Sequence, residues 1–258
     1  MAIVLAPDAM HAAAFTHAHT PDGPSFLCAS IPLDTNDVRA LEETVYDNPL
    51  LVAPFGRVDI LLRSADTMAI PAGLGADAAR TALAAPIMGV DTDTHTVVAD
   101  AIDENYALAY PVRTAVLNFL RRTFDGASME HPLTALARYF GQRSILGNSG
   151  KLYVNIRPGC LDLLAWAAGG PAALTSVSAD TVDDMVYFIL AVMQRAGLST
   201  ADDQILLCGD AGIRAGLMTQ LRRFAASVMP VIMPSAAALL AGPDLQSVPF
   251  EILTLIDA

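Results

Sequence analysis

The sequence predicts an α/β chain made of two halves with similar layouts. Three observations carry this. Short apolar runs of strand length alternate with amphipathic stretches of helix length along the chain. In the second half two such runs, 151–156 and 160–167, are joined by Arg157, Pro158 and Gly159, a turn signal between hairpin strands. A Gly-, Ser- and Asn-rich stretch, 141–150, separates two charge regimes. Residues 1–140 carry 17 acidic and 8 basic groups, net −9, whereas residues 141–258 carry 10 and 7, net −3. The expected domains are therefore 1–140 and 151–258.

The elements follow in order. Residues 2–5 form a short apolar run that Pro7 closes, and 25–33 alternate as a strand. Thr35, Asn36 and Asp37 offer N-cap oxygens for a helix through Val45, stopped at Asn48 and Pro49. A buried-strand pattern at 58–63 precedes a short strand at 68–71 and a helix near 77–85. Residues 94–101 and 106–111 alternate again, and helices are expected at 112–124 and 131–140. After the hairpin of the second half come a third strand at 174–177 and a long helix opened by Asp180 and Thr181. That helix carries Val182, Met185, Val186, Ile189, Leu190 and Met193 at a 3.6-residue period, and Gly197 ends it. A buried strand at 204–208, a glycine turn at 209–212 and a helix at 216–227 follow. Strands at 231–233 and 252–256 are expected to close the sheet. Hairpin, third strand, helix, strand, helix is the order of a ribonuclease-H-like layer, and the first half reads similarly with strands at 2–5, 25–33 and 58–63. No residue-by-residue repeat accompanies it.

Composition excludes several classes of function. With net charge −12 and a single lysine, Lys151, the chain lacks the basic footprint that nucleic acid or an anionic membrane requires. The longest apolar run, 185–193, is nine residues, against about 20 for a spanning helix. No basic residue precedes Arg39, so no signal-peptide order is visible. Cys28, Cys160 and Cys208 are odd in number and embedded in apolar neighbours, which reads as buried thiols of a reducing compartment. A cytoplasmic location is expected.

The stretches LYVNIRPGCLDLLAW, TVDDMVYFILAVMQRAGLS and ILLCGDAGIRAGLMTQLRRF, with LLVAPFGRVDILLRSADTMAIPAGL in the first half, resemble a bacterial domain family of unknown function. That family is assigned to the superfamily of actin, heat-shock proteins and sugar kinases. The resemblance implies two tandem ribonuclease-H-like (actin-like ATPase) subdomains. Members that use ATP carry an acidic-x-Gly turn between the first two strands of each half, where glycine lets the backbone approach phosphate and the carboxylate organises Mg²⁺ or water. Here that turn falls at Asn155, Ile156 and Arg157, with asparagine for the acid and arginine for the glycine. In the first half Ala6, Pro7 and Asp8 occupy the expected place, without acid at the first position or glycine at the third. The third element, a strand followed by Gly209, Gly212 and Gly216, resembles the adenosine-holding turn of nucleotide-using relatives.

Other motifs have bland explanations. Gly209, Gly212 and Gly216 miss the dinucleotide spacing, since Ala211 and Arg214 hold its third and sixth positions. His17 and His19 share a face if extended, but no third metal ligand is evident. Asp91, Asp93 and His95 alternate as on an exposed edge strand. Asp183 and Asp184 complement a helix dipole. Cys160 lacks a histidine partner. No catalytic residue, metal site or cofactor is assigned. The expected protein is a non-catalytic scaffold or binding module of actin-like fold, with Asn155, Arg157, Gly209, Gly212 and Arg214 lining its cleft. Arg157 at an old phosphate turn has the planar donors to recognise an anion. The alternatives are a working ATP-dependent kinase or ATPase and an assembly adaptor that binds a partner's short segment. The expected partner is another protein or a second copy of the chain.

Overall fold

The computed structural model describes residues 1–6, 8–15, 26–33, 38–74, 77–144, 149–233 and 248–256. Two units divide the chain: Met1–Ala135 with Ser235–Ala258, and Leu136–Pro234.

In the first unit, β1 (Ala2–Leu5), β2 (Ala9–Phe15), β3 (Phe26–Pro32), β4 (Asp59–Leu62) and β8 (Ser128–Glu130) form one sheet in the order β3-β2-β1-β4-β8. The first three strands are antiparallel, and β1, β4 and β8 run parallel. Alternation sorts the side chains. Ile3, Leu5, Met10, Ala12, Ile60 and Leu62 enter a core completed by α1 (Val38–Asp47), α2 (Pro49–Val52) and α4 (Thr114–Thr123). A second sheet, β5 (Met68–Pro71), β7 (Tyr106–Arg113) and β6 (His95–Ala101), packs Ile70, Ala107 and Ala109 against Ala84 of α3 (Asp77–Ile87).

The second unit begins within α5 (Pro132–Ser144). Its sheet joins β9 (Lys151–Arg157), β10 (Cys160–Ala167), β11 (Gly170–Ser178), β12 (Gln204–Gly209) and β13 (Ser227–Pro230) in the order β11-β10-β9-β12-β13. Pairing is again antiparallel across the first three and parallel thereafter. Leu152, Val154, Ile156, Leu161 and Leu163 face α6 (Val182–Arg195) and α7 (Ala211–Leu221), whose Met185, Ile189, Met193, Leu217 and Leu221 complete the core. Thr181 and Asp184 form a capping box on α6, the hydroxyl accepting from the Asp184 amide at 3.1 Å. At the other end of α6, Gly197 turns the chain at φ +71°.

The two five-stranded sheets therefore share one ribonuclease-H-like topology, and their registers fix residue equivalences. The Arg63 amide donates to the Leu5 carbonyl at 2.9 Å, and the Asp210 amide donates to the Ile156 carbonyl at 2.8 Å. Val4 faces His11, which faces Ser30; Asn155 faces Asp162, which faces Ser176. Val4, Leu5 and Ala6 thus correspond to Asn155, Ile156 and Arg157. This corrects the expected placement of the first-half turn at Ala6, Pro7 and Asp8 by two residues.

Other expectations also change. The segment 252–256 is not a strand but lies in α8 (Phe250–Ile256), and all seven of its residues are buried. The last strand is Ser227–Pro230 rather than 231–233, although the Val231 amide adds one bond to Leu207. The helix expected at 216–227 runs over Ala211–Leu221. Strands β2 and β8 were not read from the sequence. Pro49 starts α2, capped by the Asn48 side chain, instead of only stopping α1. Pro7, Thr35, Asn36, Asp37, His17 and His19 lie outside the described residues.

Candidate functional site

Parallel strands β9 and β12 end side by side at Arg157 and Gly209, where α7 begins. Strand ends of this kind are the usual ligand edge of an α/β sheet. Gly209 has φ +85°, and a Cβ there would stand 2.1 Å from the Ile156 carbonyl oxygen and 2.8 Å from Asn155 Oδ1. Only glycine permits this approach. Asp210 then caps α7, its Oδ1 accepting from the Ile213 amide at 2.8 Å.

Across the hairpin lies a residue that sequence reasoning missed. Asp162 is buried on β10, and its carboxylate gathers donors from the two flanking strands, β9 and β11. Oδ1 accepts from Arg157 Nη2 at 2.8 Å and from the Ser176 hydroxyl at 2.6 Å. Oδ2 accepts from Arg157 Nε at 3.0 Å and from Asn155 Nδ2 at 3.0 Å. The Arg157 contact is a bidentate ion pair, with the two side chains only 16% and 2% exposed. Arg157 Nη2 also lies 3.0 Å from Cys160 Sγ, and Cys208 Sγ lies 3.8 Å from Asn155 Oδ1. The available signal was a lone aspartate inside an apolar strand, five residues after an arginine across a two-residue turn.

Of the predicted site residues, Asn155, Arg157 and Gly209 meet at this edge. Arg214 reaches it from α7, with Nη1 3.5 Å from the Gly209 carbonyl, a contact at the limit of a hydrogen bond. Gly212 sits in the first turn of α7, where a Cβ would be 3.3 Å from Asp210 Oδ1.

The equivalent edge of the first unit carries different chemistry. His11 stands where Asp162 stands, Ser30 where Ser176 stands, and Arg63 where Asp210 stands. Arg63 makes a buried ion pair with Glu251 of α8, the side chains 13% and 1% exposed, and its buried Nε has no hydrogen-bond partner among the described residues. Burial, with the nearby Arg63 charge, lowers the His11 pKa below its ordinary value. His11, Cys28 and Ser30 line a small pocket with Val248, Pro249 and Ile252. Elsewhere in this unit, Asp100 accepts from Tyr110 Oη at 3.2 Å, the His131 amide at 2.6 Å and the Thr134 hydroxyl at 3.2 Å. Burial, reinforced by the Asp100 carboxylate, raises the Tyr110 pKa far above its ordinary value. His131 Nδ1 accepts from the Leu133 amide at 3.1 Å, which ties the imidazole to the start of α5.

Asp91 and Asp93 do not lie on a strand. They form a turn in which Asp91 accepts from the Asp93 amide and the Thr94 hydroxyl, and only His95 belongs to edge strand β6. Among the described residues no cluster of three His, Cys, Asp or Glu is placed to hold a metal ion, and no helix is long and apolar enough to cross a membrane.

Residues 22–228, most of the chain, match the family described as protein of unknown function DUF3822. The chain belongs to the DUF3822 family. No curated protein matches it. Among solved structures it is similar to a Bacteroides thetaiotaomicron protein with actin-like ATPase fold and unknown function, at 19% identity and TM-score 0.80, covering 100% of this chain and 95% of that one. It is also similar to a chain of the PilM–PilN type IV pilus biogenesis complex, at 12% identity and TM-score 0.60, covering 98% and 96%. At these identities the likeness establishes the fold: this DUF3822 chain has the actin-like ATPase fold, with two ribonuclease-H-like subdomains.

Proposed function

We propose that this DUF3822 protein is a non-catalytic member of the actin-like fold that works as a scaffold or binding protein for another protein. One observation carries the reading: the strand end where a relative would cradle phosphate is filled by the protein's own Arg157–Asp162 pair. Both donors on that edge of the guanidinium are committed to Asp162. Arg157 therefore serves as an internal counter-ion rather than a receptor for an outside anion, and Asn155, Gly209, Gly212 and Arg214 frame that closed edge. In the first subdomain the corresponding positions are Val4, Leu5 and Ala6, which supply no polar side chain. The likeness to a chain of the PilM–PilN complex, which joins two proteins, supports protein binding and the adaptor form of the reading.

Isothermal titration with ATP and Mg²⁺ tests it. The expected result is no saturable heat and no phosphate release. Micromolar binding with slow turnover, lost in Asp210→Ala, overturns it in favour of a working ATPase or kinase.

A further inference from the structure

The actin-like ATPase fold implies a Mg²⁺-bound triphosphate at the strand ends, and the residues of the second subdomain do not fit that group. An ionised carboxylate offers about four acceptor positions over its two oxygens. On Asp162 two partners meet each oxygen: Arg157 Nη2 and Ser176 Oγ on Oδ1, Arg157 Nε and Asn155 Nδ2 on Oδ2. A divalent cation needs such oxygens as ligands, and here they are taken. Ile156 and Gly209 close the edge further through backbone contact.

We propose that the Arg157 guanidinium is a built-in replacement for the cation. It supplies the positive charge that Asp162 requires and holds Asn155, Ser176 and the hairpin turn in place with no ligand bound. Geometry supports this beyond charge alone. The planar fork engages both carboxylate oxygens at once, whereas asparagine and serine donate from the flanking strands, so the cluster is neutral and closed. The chain has thus exchanged a ligand-dependent edge for a ligand-independent one. Removing the guanidinium leaves a buried carboxylate beside an amide and a hydroxyl, an oxygen-rich set that a hard cation favours.

This inference rests on the non-catalytic reading, and the experiment separates the two. Thermal unfolding of the full chain is followed with EDTA, Mg²⁺ or Mn²⁺ for the wild type, Arg157→Ala and the double variant Arg157→Ala/Asp162→Asn. The wild type is expected to unfold at one temperature in all three conditions. Arg157→Ala is expected to unfold several degrees lower in EDTA and to recover much of that loss in Mn²⁺. The double variant is expected to ignore the metal. Should Arg157→Ala not accumulate, Arg157→Gln is expressed with and without added Mn²⁺, and accumulation only with Mn²⁺ supports the proposal. An Arg157→Ala protein indifferent to Mn²⁺, equal responses of the single and double variants, or failure of Arg157→Gln under both conditions overturns it and leaves the non-catalytic reading standing. Stabilisation of the wild type by Mg²⁺–ATP instead overturns that reading itself.

Discussion

Gly209 and Gly216 belong to one glycine-rich stretch yet obey different physics. At Gly209 a methyl group would stand 2.1 Å from the Ile156 carbonyl oxygen and 2.7 Å from its nitrogen, at φ +85°. Both contacts are backbone atoms of β9, which is paired on both sides and cannot retreat. Gly209→Ala is expected to cost at least about 3 kcal/mol, read as a fall in the urea midpoint. Gly216 sits inside α7 with open space at its Cβ position. Gly216→Ala is therefore expected to add roughly 0.5–1 kcal/mol, because alanine loses less backbone entropy in a helix. Equal effects of the two substitutions would contradict the strand-end geometry.

At the scale of elements, α8 and α6 are secured by different means. Glu251 is fully buried in α8 and paired with Arg63, which follows β4. Glu251→Ala leaves an arginine buried without its counter-ion, a change that costs about 3–5 kcal/mol. The amides of Phe250–Ile256 are expected to exchange faster with solvent as α8 loosens. The cap on α6 is exposed, and Thr181→Ala is expected to cost only about 1 kcal/mol. Measuring both by chemical denaturation ranks the two attachments, and a larger loss at Thr181 would refute this ordering. The elements also show where patterns mislead. Strand β2 is alanine-rich, and alanine favours helix, yet the segment pairs on both sides because it joins β1 to β3. A short apolar run such as 252–256 suits a strand or a buried helix equally by periodicity.

Across the whole molecule, buried titratable groups define a pH window. His11 is held below its ordinary pKa of 6.5, with burial the leading cause. As pH falls below that value the unfolded chain takes up a proton that folded His11 resists, so stability declines on the acid side. Tyr110 and Tyr153 are both raised above 10.0, chiefly by burial. Above that pH the unfolded chain releases protons that the folded tyrosines keep, so stability declines on the alkaline side as well. Urea midpoints are expected to be highest between these limits. His11→Asn should flatten the acid limb and Tyr110→Phe the alkaline limb, with the slopes compared rather than the absolute values. Unchanged slopes would show that these groups do not set the window.

The sequence by itself determined the alternation of strands and helices, the second-half hairpin at Pro158 and Gly159, and the loss of acid and glycine from its turn. Each is written in residues a few positions apart, where local periodicity and turn chemistry act. Tertiary structure decided what replaced them. Asn155, Arg157, Asp162 and Ser176 come from three strands and meet only once the registers of β9, β10 and β11 are fixed. The pairing of Arg63 with Glu251 spans 188 positions. Hydrogen bonds and ion pairs act over a few ångströms of space, so chain separation carries no signal of them until the sheet has formed.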